Sequence, residues 1–255
     1  MKPLMAVIAT IASLVACLSG AARAAPPEQC EVPQSLIESD VGLSRVTSEF
    51  KSNRHLYVTV IGSGSSGLSG PDGARSAYPA RLEDGLKQLV TSADIKVTAH
   101  VQAKETTASM VAKLDKILAD DKPSLVIWQA GTVDALDGVD PEEFRASLDS
   151  GIEKIRAAGA DVILMNMQYS PHTVSMLDVS TYADIMRAVA EEYGVLLFDR
   201  FAIMQYWNDA GTFDLYTATK KYDMARRVHD CIGWALASQI IDNAHLDAVR
   251  MQTTH

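Results

Sequence analysis

Serine hydroxyls are concentrated in one short glycine-rich loop that directly follows an apolar run. The loop, residues 62–67, has the sequence Gly-Ser-Gly-Ser-Ser-Gly. A serine attacks an ester or amide carbonyl only when a neighbouring base takes its proton, and histidine is the commonest base. His229 is the candidate base, with Asp230 or Asp134 as the acid that orients its ring. In a site of this kind, Ser65 or Ser66 would be the attacking residue.

The same residues also have ordinary structural interpretations. Hydroxyls in a Gly/Ser loop commonly satisfy nearby backbone groups. A histidine near the start of a helix, such as His229, is more often packed into the structure than catalytic. Residue types alone therefore leave open whether this loop does chemistry.

The elements that would position the loop alternate along the chain. Apolar or β-branched runs predict five strands, at residues 55–61, 96–101, 124–129, 161–167 and 195–198. Amphipathic segments predict helices at residues 78–90, 108–119, 141–158, 182–193 and 225–244. This alternation is typical of a parallel sheet covered by helices on both faces. We therefore predict one α/β domain, a three-layer α/β/α sandwich with a mainly parallel five-stranded sheet.

Loops after the carboxyl ends of parallel strands form the functional edge of such a sheet. Two loops meet this description, one after the strand at 55–61 and one after the strand at 124–129. Together they contain the predicted cleft-lining residues, which are Gly62, Ser63, Gly64, Gly131, Thr132, Val133 and Asp134.

Several segments resemble the SGNH/GDSL hydrolase superfamily, particularly its exported bacterial members. Besides the strand that ends in glycine at 62, they are Tyr-Pro-Ala-Arg-Leu-Glu at 78–83, Val-Ile-Trp-Gln-Ala-Gly-Thr at 126–132 and Gln-Tyr-Ser-Pro at 168–171. The resemblance extends from about Cys30 to the last predicted helix. It implies a flavodoxin-like α/β/α sandwich and ester hydrolysis, with deacylation of carbohydrates or lipids common in the family.

The first two catalytic segments of the family are altered in this sequence. The position of the family's serine nucleophile is occupied by Gly64, although a shifted frame would present Ser65 or Ser66 instead. The second segment, residues 100–105, contains no glycine to contribute to an oxyanion hole. Glycine has no side chain that can attack a carbonyl, although a local shift of the loop would account for either change taken singly.

The other two catalytic segments are altered as well. Val133 stands where the family has an asparagine whose side chain donates to the oxyanion, and a valine donates no hydrogen bond. The family's Asp-x-x-His falls on Lys-Lys-Tyr-Asp at 220–223, and His229 lies six residues later. The four changes together favour a family member in which hydrolysis is impaired.

Three functions remain open at the level of sequence. The favoured one is a protein that binds a glycan, acyl or other small-molecule ligand in the old cleft with little hydrolysis. The first alternative is an active serine esterase with a rearranged site built from Ser65 or Ser66, His229 and Asp230 or Asp134. The second alternative is a non-enzymatic assembly or accessory subunit of the cell envelope, suggested by aromatic residues between Phe198 and Tyr222.

The N-terminal segment predicts export to the periplasm or the exterior. Lys2 precedes a short apolar run, and Ala22-Arg23-Ala24 is typical of a signal that is cleaved after Ala24. Alternatively, Leu14-Val15-Ala16-Cys17 resembles a lipoprotein signal, in which case a lipid on Cys17 would be the one expected membrane attachment. The predicted organisation is a signal at 1–24, an N-terminal arm at 25–54, the hydrolase-like domain at 55–245 and a tail at 246–255.

The cysteine content predicts a disulfide, and the net charge indicates which classes of partner the protein is expected to bind. After cleavage Cys30 and Cys231 remain, which predicts a disulfide, with two buried free thiols as the alternative. The chain has 23 basic and 32 acidic residues, and loss of Lys2 and Arg23 takes its net charge from −9 to −11. This acidic balance argues against a nucleic acid partner, and no spacing of His or Cys predicts a metal or other cofactor.

Overall fold

A computed structural model describes residues 27–91, 93–176, 179–216 and 222–246 of the chain. The predicted signal segment with Cys17 lies outside these ranges, as do Lys220, Lys221 and all of the predicted tail except Leu246. None of the helices within the described ranges combines the length and apolar character that a bilayer crossing requires.

The sheet has five parallel strands, which are β1 (His55–Gly62), β2 (Asp94–Val101), β3 (Leu125–Gln129), β4 (Asp161–Met165) and β5 (Leu196–Phe198). Their order in space is β2-β1-β3-β4-β5, and every neighbouring pair is parallel. The direction in which strands are added therefore reverses beside β1. The crevice at such a reversal, outside the carboxyl ends of the strands, is where open α/β sheets bind ligands.

Helices connect the strands and cover the sheet. They are α1 (Ser44–Asn53), α2 (Gly73–Ser76), α3 (Tyr78–Leu89), α4 (Thr107–Asp121), α5 (Thr132–Asp137), α6 (Pro141–Ala157), α7 (Pro171–Met176), α8 (Val179–Tyr193), α9 (Arg200–Asp209) and α10 (Tyr222–Asn243). The predicted helices and strands are all present, with ends that differ by a few residues from the sequence-based bounds.

Two apolar cores lie on opposite faces of the sheet. Alternate side chains of β3 show the division, because Leu125 and Ile127 join one core while Val126 and Trp128 join the other. The first core is covered by α1, α3, α9 and α10, and the second by α4, α6 and α8. The predicted three-layer α/β/α sandwich with a parallel sheet is confirmed.

The segment predicted as an N-terminal arm contains a helix that belongs to the first core. Val46 and Phe50 of α1 are fully buried there. Asp161, at the start of β4, accepts hydrogen bonds from the backbone N–H groups of Arg45 and Val46 at 2.9 and 3.0 Å. A carboxylate at the first turn satisfies N–H groups that have no partner within the helix, which explains where α1 begins.

The aromatic residues between β5 and α10 divide between core and surface. Trp207 and Phe213 are buried and meet edge to face with ring centroids 5.5 Å apart. Tyr206 and Tyr216 are exposed. Much of the aromatic content of this segment therefore stabilises α9 against the first core, which the sequence pattern did not reveal because α9 has little separation of polar and apolar faces.

The predicted disulfide between Cys30 and Cys231 is present. It links the N-terminal segment to α10, and both cysteines are buried. The bond joins residues 201 positions apart, so it closes a very long loop in the unfolded chain.

Removing this disulfide should lower the free energy of unfolding by about 2–5 kcal/mol, because the unfolded chain regains the freedom that the long loop had lost. The change is Cys30→Ala with Cys231→Ala, measured by urea denaturation against wild type under non-reducing conditions. Added reductant should destabilise wild type and leave the double variant unchanged. Equal stability of the two oxidised proteins would contradict the expected role of the bond.

Candidate active site

The serine loop (residues 62–67) leaves the carboxyl end of β1 and turns back over the strand. Residues Gly64–Ser66 form a single 3-10 turn, closed by a hydrogen bond from Ser66 N–H to the Ser63 carbonyl at 2.9 Å. A Cβ at Gly62 would lie 2.3 Å from Ser66 Oγ, so a side chain there would force Ser66 out of its position. The glycine thus lets the loop fold tightly enough to point Ser66 into the protein, where it is fully buried.

Three serine hydroxyls of the loop converge on one acceptor, the side-chain oxygen of Gln129. The Oε1 atom of this buried residue lies 2.8 Å from Ser66 Oγ, 3.1 Å from Ser65 Oγ and 3.3 Å from Ser63 Oγ. Gln129 is the last residue of β3, and its Nε2 donates to Thr132 Oγ1 at 3.3 Å. An amide oxygen accepts hydrogen bonds but does not remove protons at neutral pH, so this contact orients the hydroxyls without activating them.

His229 lies close to the serine loop but is bound to a different group. Its Nδ1 accepts the backbone N–H of Tyr78 at 2.9 Å, and the Tyr78 hydroxyl lies 3.1 Å from Ser66 Oγ. In a neutral imidazole, one nitrogen accepts and the other carries the proton, so this hydrogen bond puts the proton on Nε2. The lone pair that a general base needs is therefore already used by Tyr78.

Electrostatics also keep the imidazole neutral. Burial lowers the pKa of His229 to about 3, with a further contribution from the positive charge of Arg200. His229 is 5% exposed. Burial likewise raises the pKa of Tyr78, whose hydroxyl contacts Ser66. Neither group is poised to exchange a proton with the serine loop near neutral pH.

The two candidate acids have partners of their own. Asp230 Oδ1 lies 2.8 Å from Arg81 Nε of α3. Asp134 accepts both the backbone N–H and the hydroxyl of Thr107, at 3.0 and 2.8 Å, and so holds the first turn of α4. Across the described residues, the hydrogen bonds do not join Ser65 or Ser66, His229 and Asp230 into a triad.

Gly64, at the position of the family's nucleophile, does not require glycine. A Cβ added there would make ordinary contacts, 3.7 Å from the Cα and Cβ atoms of Ala103, and its backbone is not in the left-handed region. The loop could therefore hold a serine at this position without rearrangement.

Two neighbouring segments at this edge contain residues in the left-handed region of backbone conformation. Lys104, in the segment without glycine, has φ of 62°, a left-handed conformation that glycine adopts most readily. Gly131 has φ of 89°, and a Cβ there would lie 2.7 Å from Met167 Sδ. Val133 follows in α5 and is buried. An aliphatic side chain therefore takes the place of a polar donor at the edge of the cleft.

Arg200 is a charged residue of this edge that the sequence reasoning missed. It is the first residue of α9, directly beyond β5, and is 1% exposed. Its guanidinium carbon lies 5.9 Å from the centroid of the Tyr78 ring. Its signal in the sequence is its position, because it is a charged residue two positions beyond an apolar strand.

Polar contacts at the end of β4 fix the start of α9 and hence the position of Arg200. Asn166 donates from Nδ2 to Asp199 Oδ1 at 2.7 Å and accepts the N–H of Phe201 at 2.9 Å. Asp199 caps the helix by accepting the N–H of Ala202 at 2.9 Å. Arg187 of α8 adds a bond from Nη2 to Asp199 Oδ2 at 3.0 Å.

A cavity of about 220 Å³ lies beside Arg200 at the same edge of the sheet. Its lining includes the polar residues Gln168, Ser170 and His229 and the apolar residues Met204 and Met224. His229 connects this cavity to the serine loop through Tyr78. The edge therefore has two adjoining parts, the serine loop and the cavity beside Arg200.

Comparison with known proteins places this geometry in a family. The model of the non-GDSL lipase-like family matches residues 29–246, which is nearly the whole described chain. The chain belongs to this family. Membership confirms the resemblance to the SGNH/GDSL hydrolase superfamily that the sequence motifs indicate.

Individual relatives of this family member include an esterase and an arylesterase. Esterase TesA of Pseudomonas aeruginosa is 30% identical over 138 residues, 54% of this chain and 65% of its own length. An arylesterase of Vibrio mimicus is 29% identical over 125 residues, 49% of this chain and 61% of its own length. The chain thus spans less than two thirds of the length of each relative.

Solved structures share the fold of this family member. Axe2, an acetylxylan esterase from Geobacillus stearothermophilus, is 20% identical and superposes with a TM-score of 0.59, covering 74% of this chain and 94% of its own. At this identity, the similarity establishes the common α/β/α architecture.

The state of His229 predicts a pH dependence of stability. The unfolded chain binds a proton at this residue below about pH 6.5, whereas the folded chain does so only near pH 3, so stability falls as the pH drops through this window. Between pH 7.5 and pH 5 the loss from His229 should be about 2 kcal/mol.

His229→Asn tests this, since the asparagine oxygen can accept the Tyr78 N–H without a titrating group. Urea denaturation at the two pH values should show a smaller loss of stability for this variant than for wild type. His172→Gln, at an exposed histidine, is the matched control and should follow wild type. Equal pH dependence of wild type and His229→Asn would show that His229 is not buried in its neutral form.

Proposed function

We propose that this family member binds a small-molecule ligand at the carboxyl edge of its sheet and hydrolyses esters poorly or not at all. The observation that carries the proposal is the hydrogen bond from Tyr78 N–H to His229 Nδ1, which occupies the lone pair of the candidate base. The serine hydroxyls donate to Gln129 instead of to a base. A hydroxyl that keeps its proton is a weak nucleophile.

Loss of oxyanion stabilisation supports the same proposal. Val133 is a buried aliphatic side chain and supplies no hydrogen bond where a tetrahedral intermediate would need one. Removal of a single oxyanion donor typically costs on the order of a hundredfold to a thousandfold in rate. Gly64 also removes the serine from the position of the nucleophile. The site therefore lacks a nucleophile in register, and it lacks one of the hydrogen-bond donors that would stabilise the oxyanion.

The active-esterase alternative rests on two observations. Ser65 is partly exposed, unlike its buried neighbours Ser63 and Ser66, so a substrate can approach it. The relatives named above include an esterase and an arylesterase. In this alternative the loop and α10 would have to move, because His229 must release Tyr78 before it can accept a serine proton.

Purified wild type should hydrolyse short-chain aryl esters such as p-nitrophenyl butyrate no faster than its Ser65→Ala and Ser66→Ala variants. The reason is that no described histidine or carboxylate is bonded to either hydroxyl. Gly64→Ser combined with Val133→Asn should restore little, because catalytic groups act together and a base is still missing. Turnover well above background that Ser65→Ala or His229→Asn abolishes would instead establish the rearranged esterase.

A further inference from the structure

Arg200 is a buried cation that lacks the partners such a group normally has. Its Nε and Nη1 atoms make no hydrogen bond within the described part of the chain, and no described carboxylate forms an ion pair with it. Its one bond is from Nη2 to Gln168 Oε1 at 3.4 Å, which is long. Buried arginines are ordinarily paired and fully hydrogen-bonded, because a desolvated charge without partners is costly.

The surroundings of Arg200 do not compensate for this cost. The centroid of the Tyr78 ring lies 5.9 Å from the guanidinium carbon, at the outer limit of a useful cation–π contact. His229 is neutral. Burial lowers the pKa of Arg200 to about 10, and the group therefore stays charged at neutral pH. Water can satisfy N–H groups, whereas an anion also balances the charge.

The adjoining cavity has room for such an anion. Arg200 borders it together with Gln168 and Ser170, and the rest of its lining includes Met204, Leu215 and Met224. The lining therefore combines a buried cation and polar residues with several apolar side chains. Asp214 also borders the cavity but is exposed, and its Oδ1 accepts the N–H of Tyr216 at 3.1 Å.

We propose that this cavity binds the carboxylate of a small amphiphilic acid, with the carboxylate on Arg200 and the aliphatic chain against Met204, Leu215 and Met224. A guanidinium can bind both oxygens of a carboxylate through its Nε and Nη2 atoms or through its Nη1 and Nη2 atoms. Both arrangements use Nη2, so the acid replaces the long hydrogen bond from Nη2 to Gln168. Its second oxygen then accepts from Nε or Nη1. The apolar lining selects an acyl carboxylate over inorganic phosphate. The inference deepens the proposed function and rests on it, since it takes the acid as a ligand and not as the product of ester hydrolysis.

Calorimetric titration with sodium hexanoate tests the inference on the folded wild-type protein. Saturable binding is expected for hexanoate, with hexanol, which has the same chain without the charge, and inorganic phosphate each at least about tenfold weaker. Equal binding of hexanol would show that Arg200 does not contribute, and equal binding of phosphate would show that the cavity is not built for an acyl acid. Absence of hexanoate binding would overturn the proposal.

Two variants and a control locate the binding site. Arg200→Met removes the buried charge while keeping an unbranched side chain, and should weaken hexanoate binding about tenfold or more. Leu215→Trp fills the cavity without touching the charge and should weaken it too. Arg145→Met is the matched control, because Arg145 lies on α6 across the sheet, paired with Glu192. Wild-type affinity in both Arg200→Met and Leu215→Trp would exclude this cavity.

Aryl ester turnover of the same preparations separates the two proposals. Hexanoate binding that depends on Arg200, without turnover, supports both. Brisk turnover that depends on Ser65 would overturn the proposed function and make hexanoate a product analogue. No turnover together with hexanoate binding that is indifferent to Arg200→Met and Leu215→Trp would overturn only the assignment of the ligand.

Discussion

The hydrogen bond from the backbone of Tyr78 to Nδ1 of His229 joins the first turn of α3 to α10 beneath the serine loop. It satisfies one of the N–H groups that have no partner at the start of α3, and it sets which nitrogen of the imidazole carries the proton. The ring is buried and neutral, and its lone pair accepts the hydrogen bond from the Tyr78 backbone. Ser66 then contacts the Tyr78 hydroxyl and Gln129 and has no base.

Glycines at this edge of the sheet differ in whether the surrounding structure has space for a side chain. Gly62 and Gly131 meet close neighbours that leave no space for a Cβ, and they shape the serine loop and the start of α5. Gly64 has space for a side chain. Close packing therefore constrains the residue type at Gly62 and Gly131 but not at Gly64.

Fold and site were not equally accessible from the sequence. Periodicity located the strands and long helices because β3 alternates between two cores and α3 buries one face, and the cysteine count pointed to the disulfide. The sequence predicts an arm around α1, because ten residues give only a short periodic pattern, whereas the structure buries Phe50 of this helix completely. Comparison with the family's motifs identified Gly64 and Val133 as differing positions, because such a comparison needs only the residue types.

Contacts between distant segments could not be found in this way. Three serines converge on Gln129, and Tyr78 binds His229, although these partners are far apart in the chain. The isolation of Arg200 likewise depends on which distant segments surround it. Those contacts decide proton positions and charge, which is why the sequence left the esterase and the ligand-binding protein both open. Asp134 and Asp230 are candidate catalytic acids by residue type. Their partners, Thr107 and Arg81, are set by how the helices pack, which the sequence pattern does not show.

The central claim is that no serine of the loop is an activated nucleophile, and an alkyl fluorophosphonate tests it without a choice of substrate. Such reagents form a covalent adduct with an activated serine, and intact-protein mass spectrometry followed by peptide mapping detects it. The account predicts an unmodified protein after prolonged incubation, alongside complete labelling of a known serine esterase. A stoichiometric adduct on Ser63, Ser65 or Ser66 would contradict it.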